Sequence, residues 1–346
     1  MVLTLACSLS VLLYVLLLSA QERRTFAQSL QSDEAGAQET YVSEVVIEAP
    51  WAEKNLYQYA GGEESPPGEF GHYVSLETEL GPNSFTVAPN GDIYINDPLN
   101  KRIQRFGPNG EFISLIPVMG GFMCVDRDNN IYTTRASRPH WFIDKYDQAG
   151  NLLERYPIEM KGKRIVNVYC DNAGSVFASF HADHMEIDKG SRIILDTSWG
   201  GICQVGSPAG ALSQHEQKSS IRREGFLGSN STALSKGYFA GGPGKLCLIS
   251  FGGDTVKTFR SIEGSFFGCD EDLNIYTTRY DSGDRLTRVK KYDRNGRLVS
   301  TFAYGCQKPY RTPAGRGECL DGKGNVYVFC ESYQDGIQVT KWYKAD

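Results

Sequence analysis

The chain has 346 residues, 40% hydrophobic and 22% charged, with 37 glycines and 12% aromatics. That is the composition of a folded, turn-rich β protein and excludes a disordered or long-helical chain. The net charge of −5 argues against a nucleic-acid partner, since such binding rests on neutralising phosphates.

The first element is apolar. Met1–Ser19 carries no Lys, Arg, Asp or Glu, and small Ser19 and Ala20 precede the polar Gln21–Arg24. Residues 1–20 read as a signal peptide cleaved near Ala20 or, uncleaved, as a membrane anchor. The protein is therefore expected outside the cytoplasm, secreted or periplasmic, touching membrane only through this segment. Residues 21–40 read as a flexible spacer, and residues 41–346 as the folded domain. Tyr41–Ile47 is strand-like but has no sheet of its own nearby in sequence.

A repeat follows. Its first half is an apolar strand, an Asp, Asn or Gly turn, and an aromatic. The copies are Phe85–Tyr94, Met123–Tyr132, Tyr169–Phe177, Gly268–Tyr276 and Cys319–Tyr327, with Lys236–Ala240 as a degenerate fourth unit. Its second half is a β-branched residue, any residue, a base and an aromatic: Ile103–Phe106, Ile143–Tyr146, Val289–Tyr292 and Val339–Trp342. Gly turns at Gly110, Gly150 and Gly296 lead into another apolar strand. The alternation has period two, so these are strands. Asx side chains and residues that tolerate positive φ make the turns between them.

Each unit is thus four antiparallel strands, A to D. Such a sheet cannot bury a face alone, so neighbours must stack, and a radial arrangement leaves only short edges. The last unit ends after its strand C, and Tyr41–Ile47 supplies the missing strand. The expectation is an all-β, six-bladed β-propeller, its ring closed by the N-terminal strand, and a monomer.

The repeat resembles the NHL family, most closely at Asn96–Phe106. The likeness covers residues 80–346. It implies a six-bladed propeller that is usually a binding platform, with some enzymatic and RNA-binding relatives.

Candidate chemistry lies where the B–C and D–A loops share a face. The position three beyond the strand-B aromatic reads Asp97, Arg135, Phe180, Gly241, Arg279 and Cys330. The resemblance implies Asp there. Arg135 and Arg279 end identical hexapeptides, Asn130–Arg135 and Asn274–Arg279, three units apart. Facing guanidiniums suit a carboxylate, phosphate or sulfate. Alternatively each pairs with a local acid, Asp144 for Arg135 and Asp281 or Asp284 for Arg279. Trp141, Trp199 (placed in a D–A connection) and Arg316 would line the same face or serve as loop packing. Residues 200–235 read as a long loop, a lid or plain coil. The basic run Arg288–Arg297 reads as a solvated edge.

His181 and His184 form the only close His pair, a weak metal candidate or solvated loop residues. No cofactor is expected, apart from a divalent cation if the channel is catalytic. Cys124, Cys170, Cys269 and Cys319 fall in equivalent strands and read as small buried residues. Cys306 pairs with Cys319 or Cys330 if a bridge forms. The leading expectation is an exported, non-catalytic binding or scaffold propeller for a protein or anionic ligand. The alternatives are a metal-dependent hydrolase or lyase working in the channel, and the sensor domain of a membrane-tethered assembly.

Overall fold

A computed structural model describes residues 39–52, 65–74, 79–137, 140–158, 163–170, 176–182, 201–206, 238–242, 245–249, 255–306, 317–332 and 335–345. The N-terminal apolar segment and most of the spacer lie outside these residues.

Among the described residues all regular structure is strand, apart from one 3-10 turn at Pro98–Asn100. Strand β1 spans Tyr41–Ala49; β2 (Tyr73–Val74) and β3 (Glu79–Leu80) form a small ribbon. The first sheet comprises β4 (Ser84–Val87), β5 (Ile93–Asp97), β6 (Arg102–Phe106) and β7 (Phe112–Ile116). The second comprises β8 (Met123–Val125), β9 (Ile131–Ser137), β10 (His140–Tyr146) and β11 (Leu152–Ile158). The third holds β12 (Lys163–Cys170), β13 (Val176–Ala182) and β14 (Gly201–Gly206). The fourth holds β15 (Tyr238–Gly242), β16 (Lys245–Ile249) and β17 (Thr255–Arg260). The fifth has β18 (Ser265–Cys269), β19 (Ile275–Asp281), β20 (Leu286–Tyr292) and β21 (Leu298–Tyr304). The sixth joins β22 (Glu318–Leu320), β23 (Val326–Ser332) and β24 (Gly336–Lys344) to β1, in the order β1-β24-β23-β22.

The expected closing strand is therefore present and extends to Ala49. It runs antiparallel to β24 from Tyr41↔Lys344 to Ala49↔Ile337, with a bulge between Val45 and Ile47. The reading of residues 200–235 as one loop is corrected: Gly201–Gly206 pairs with β13 as a strand.

The tight turns follow from one local device. Asp126 Oδ1 accepts the N–H groups of Asp128 and Asn130, and its Oδ2 accepts Asn130 Nδ2 and the Tyr132 hydroxyl. Asp270 and Asp321 repeat this set with Asn274 and Tyr276, and with Asn325 and Tyr327. One side chain thereby satisfies the turn and fixes the strand-B aromatic. In the first sheet Asp92 instead holds Arg105.

Period-two alternation then divides each strand between two interfaces. Ile93 and Ile95 pack with Cys319, Tyr327 and Phe329 of the sixth sheet, whereas Tyr94 packs with Met123 and Val125 of the second. Second-sheet Tyr132 meets Val168 and Val176 of the third. Fourth-sheet Leu246 and Leu248 meet Cys269 and Ile275 of the fifth. Fifth-sheet Tyr276 and Phe302 meet Leu320, Val328 and Trp342 of the sixth. The sixth sheet is thus sandwiched between the fifth and the first, so the last sheet in sequence touches the first. Face-to-face stacking of four-stranded antiparallel sheets is the arrangement of a β-propeller.

Close approaches seal these interfaces. A Cβ on Gly110 would stand 1.5 Å from the Val46 carbonyl oxygen in the β1 bulge. Lys291 departs from the solvated edge expected for its basic run: it is buried and holds Glu39 at 2.8 Å.

Candidate active site

Asp97 ends β5 and is 0% exposed. Its Oδ1 accepts the Gly71 N–H at 3.1 Å, and its Oδ2 accepts Asn100 Nδ2 at 2.8 Å and Arg102 Nε at 3.2 Å. Arg102 also donates to the carbonyls of Ser65, Pro66 and Glu69. The carboxylate fastens residues 65–71 to the first sheet. It is engaged within the chain and is not presented to a ligand, which corrects its expected role.

Arg135 lies opposite Phe142 and Arg279 opposite Arg288, and both are exposed. Asp144, Asp281 and Asp284 are engaged by other arginines, and Glu263 is the acid whose charge interacts with Arg279. Asp144 holds Arg155 at 2.6 Å, and Asp281 and Asp284 both hold Arg288. Alternation places Arg135 with Ile131 on the side turned to the first sheet, and Arg279 with Ile275 on the side turned to the fourth. Trp141 is half-buried against the cluster of Cys124, Tyr132 and Ile143, where it serves as packing. Trp199, Arg316 and His184 lie outside the described residues. His181 sits in β13 opposite Arg164. Among the described residues, no three His, Cys, Asp or Glu side chains converge as a cation site.

The cysteines resolve one alternative. Cys306 bonds Cys330. Cys319 is excluded by alternation: it points to the first sheet beside Phe85, whereas Cys330 and Cys306 lie against the fifth. Cys269 and Cys319 remain buried thiols as expected. Cys124 does not, since it is disulfide-bonded.

The sequence reading missed Glu318. It opens β22, opposite Val328, the residue after the strand-B aromatic Tyr327. The register-equivalent residues are Phe85 opposite Ile95, Met123 opposite Thr133, Val168 opposite Ala178 and Phe266 opposite Thr277. All four are apolar and pack between sheets. Only in the sixth sheet, among these five, is the position a carboxyl. That break in the repeat is the signal that could have revealed it.

Glu318 shares its face of β22 with Leu320, so it turns to the fifth sheet. There it meets Tyr304, the last residue of β21, paired with Thr287 of β20. Burial raises the proton affinity of Glu318 above the ordinary carboxyl range, and the Tyr304 hydroxyl offsets this only in part. The Tyr304 hydroxyl is itself buried with no hydrogen bond of ordinary geometry. Glu318 and Thr287 stand near enough to influence it, and burial pushes its pKa well up. The site thus sets a carboxyl of raised proton affinity beside a neutral phenol. It lies at the end of β22 nearest the connection from β21.

No family model matches the chain, and no curated protein sequence does. Solved structures similar in fold include a putative gluconolactonase (14% identity, TM-score 0.45, covering 90% of this chain and 93% of that one). They also include a streptogramin B lyase (11% identity, TM-score 0.41, 88% and 98% covered). A third is virginiamycin B lyase from Staphylococcus aureus (10% identity, TM-score 0.40, 88% and 100% covered). Their printed names are enzyme names, at odds with the leading expectation of a non-catalytic binding module, but they assign no activity to this chain. The likeness itself is one of fold.

Proposed function

We propose that the chain is a six-bladed, NHL-type β-propeller that works as a hydrolase or lyase, with Glu318 as its proton-transfer residue. One observation carries the reading: a carboxyl occupies an inter-sheet position that is apolar in the other sheets where it is described. A partly buried acid is costly unless it has a use, and raised proton affinity suits a proton-transfer role. Glu318 gives its proton to a departing oxygen. In hydrolysis, water then supplies hydroxide to the other fragment and returns a proton to Glu318. In elimination, the returning proton comes from the substrate carbon. Tyr304 positions an oxygen of the reacting group through its hydroxyl, beside Glu318. The described residues do not assemble a divalent-cation site, so no step is routed through a metal.

The test is a panel of chromogenic esters and lactones, and substrates bearing an oxygen leaving group β to an acidic C–H. The parent protein should turn over at least one class. Glu318→Gln should then lose roughly 100-fold or more in kcat/KM, the usual share of a general acid. Unchanged kcat/KM in Glu318→Gln would refute the assignment.

A further inference from the structure

We propose that the Cys306–Cys330 disulfide is a redox latch beside Glu318, holding the end of β21 against β23 when oxidised and opening Glu318 further to water when a dithiol reduces it. The inference rests on the reading of Glu318 given above, and it names the regulation of that site.

Three placements support it. Cys330 lies on β23 just beyond Val328, the partner of Glu318, and on the same face of that strand. Cys306 follows Tyr304 by one intervening residue, Gly305, as the chain leaves β21. The bond therefore ties the end of β21 to β23 beside both Glu318 and Tyr304. Cys330, Val328, Leu320 and Tyr304 belong to one buried cluster, and Cys306 packs against it. Cys306 is only half-buried, so its sulfur is the reachable one. Attack by a dithiol's thiolate there forms a mixed disulfide and releases the Cys330 thiolate, which takes a proton. The second thiol of the reductant then displaces Cys306 and leaves as a cyclic disulfide. Two electrons and two protons pass to the protein. With the tie gone, the end of β21 can part from β23 and admit further water to Glu318. Among the described residues, the polar groups that interact there are Glu318 from β22, Tyr304 from β21 and Thr287 from β20.

The test reads stability, so it needs no substrate. A carboxyl whose folded-state pKa is raised contributes stability that is full below its unfolded pKa and lost as pH rises through the folded value. Gln does not titrate. The advantage of Glu318→Gln over its parent should therefore grow between about pH 5 and about pH 8 in the oxidised protein, by about 2 °C or more in Tm. The same pair is compared in a Cys306→Ser/Cys330→Ser background, or in Cys306→Ala/Cys330→Val if the serine pair does not unfold cooperatively. Growth with pH should vanish there. Equal growth in both backgrounds overturns the latch and leaves the Glu318 reading intact. No growth in the oxidised protein overturns the Glu318 reading and the latch with it.

Discussion

Deleting residues 1–50 should abolish cooperative unfolding, whereas deleting residues 1–38 should leave it in place. Strand β1 supplies one edge of the sixth sheet and joins it to both neighbours. Ile47 and Ala49 are buried among Phe85, Ile93 and Phe329. Tyr41 stacks on Phe302 of the fifth sheet with ring centroids 4.1 Å apart. Glu39 bridges Lys291 and Lys344 at 2.8 and 3.0 Å. Burial favours protonation of Glu39, but the two lysines outweigh it and hold its pKa below the usual value. Truncating one buried Ile costs about 2–5 kcal/mol, and a whole domain is stable by only about 5–15 kcal/mol. Losing the strand removes several such contacts at once and exposes the backbone of β24. Thermal unfolding followed by near-UV circular dichroism distinguishes the two truncations. A cooperative, undiminished transition without β1 would show that the sheets do not depend on this closure.

Asp97→Ala should cost about 3–5 kcal/mol, the range for removing one partner of a buried ion pair. The Arg102 guanidinium, 3% exposed, would remain buried without its carboxylate. The Gly71 N–H and Asn100 Nδ2 would lose their acceptor as well. Urea titration measures the loss. Asp97→Asn should recover part of it, because Asn keeps one acceptor while forfeiting the charge. A loss within about 0.5 kcal/mol, ordinary for an unremarkable surface site, would mean that residues 65–71 are held by other means.

Much of this fold was legible because the repeat states its own physics. Asp126, Asp270 and Asp321 mark the turns through the hydrogen bonds that an Asx side chain makes four residues on. The alternation of Tyr41–Ile47 announced a strand, and the missing fourth strand of the last unit told where it pairs. Cysteine pairing was less legible. Cys319 and Cys330 look equivalent in sequence, and only the alternation of β22 and β23 sends them to opposite faces. The role of Asp97 was hidden because its partners, from Ser65 to Gly71, come from a segment with no repeat pattern. Arg135 and Arg279 drew attention by identity of sequence, yet their solvent-facing positions reveal no partner chemistry. Glu318 escaped because the repeat was aligned from Cys319 onwards. Its meaning emerges only when strand register places it beside Phe85, Met123, Val168 and Phe266 as the polar exception.

The most direct test of the account is the titration of Glu318 itself. Carbon-13 NMR of protein labelled at the glutamate carboxyl carbons, with Glu318→Gln identifying the resonance, gives its midpoint. The midpoint is expected above the ordinary Glu value of about 4.3. A midpoint at or below that value would contradict it, and would leave Glu318 an ordinary carboxylate at the edge of a sheet.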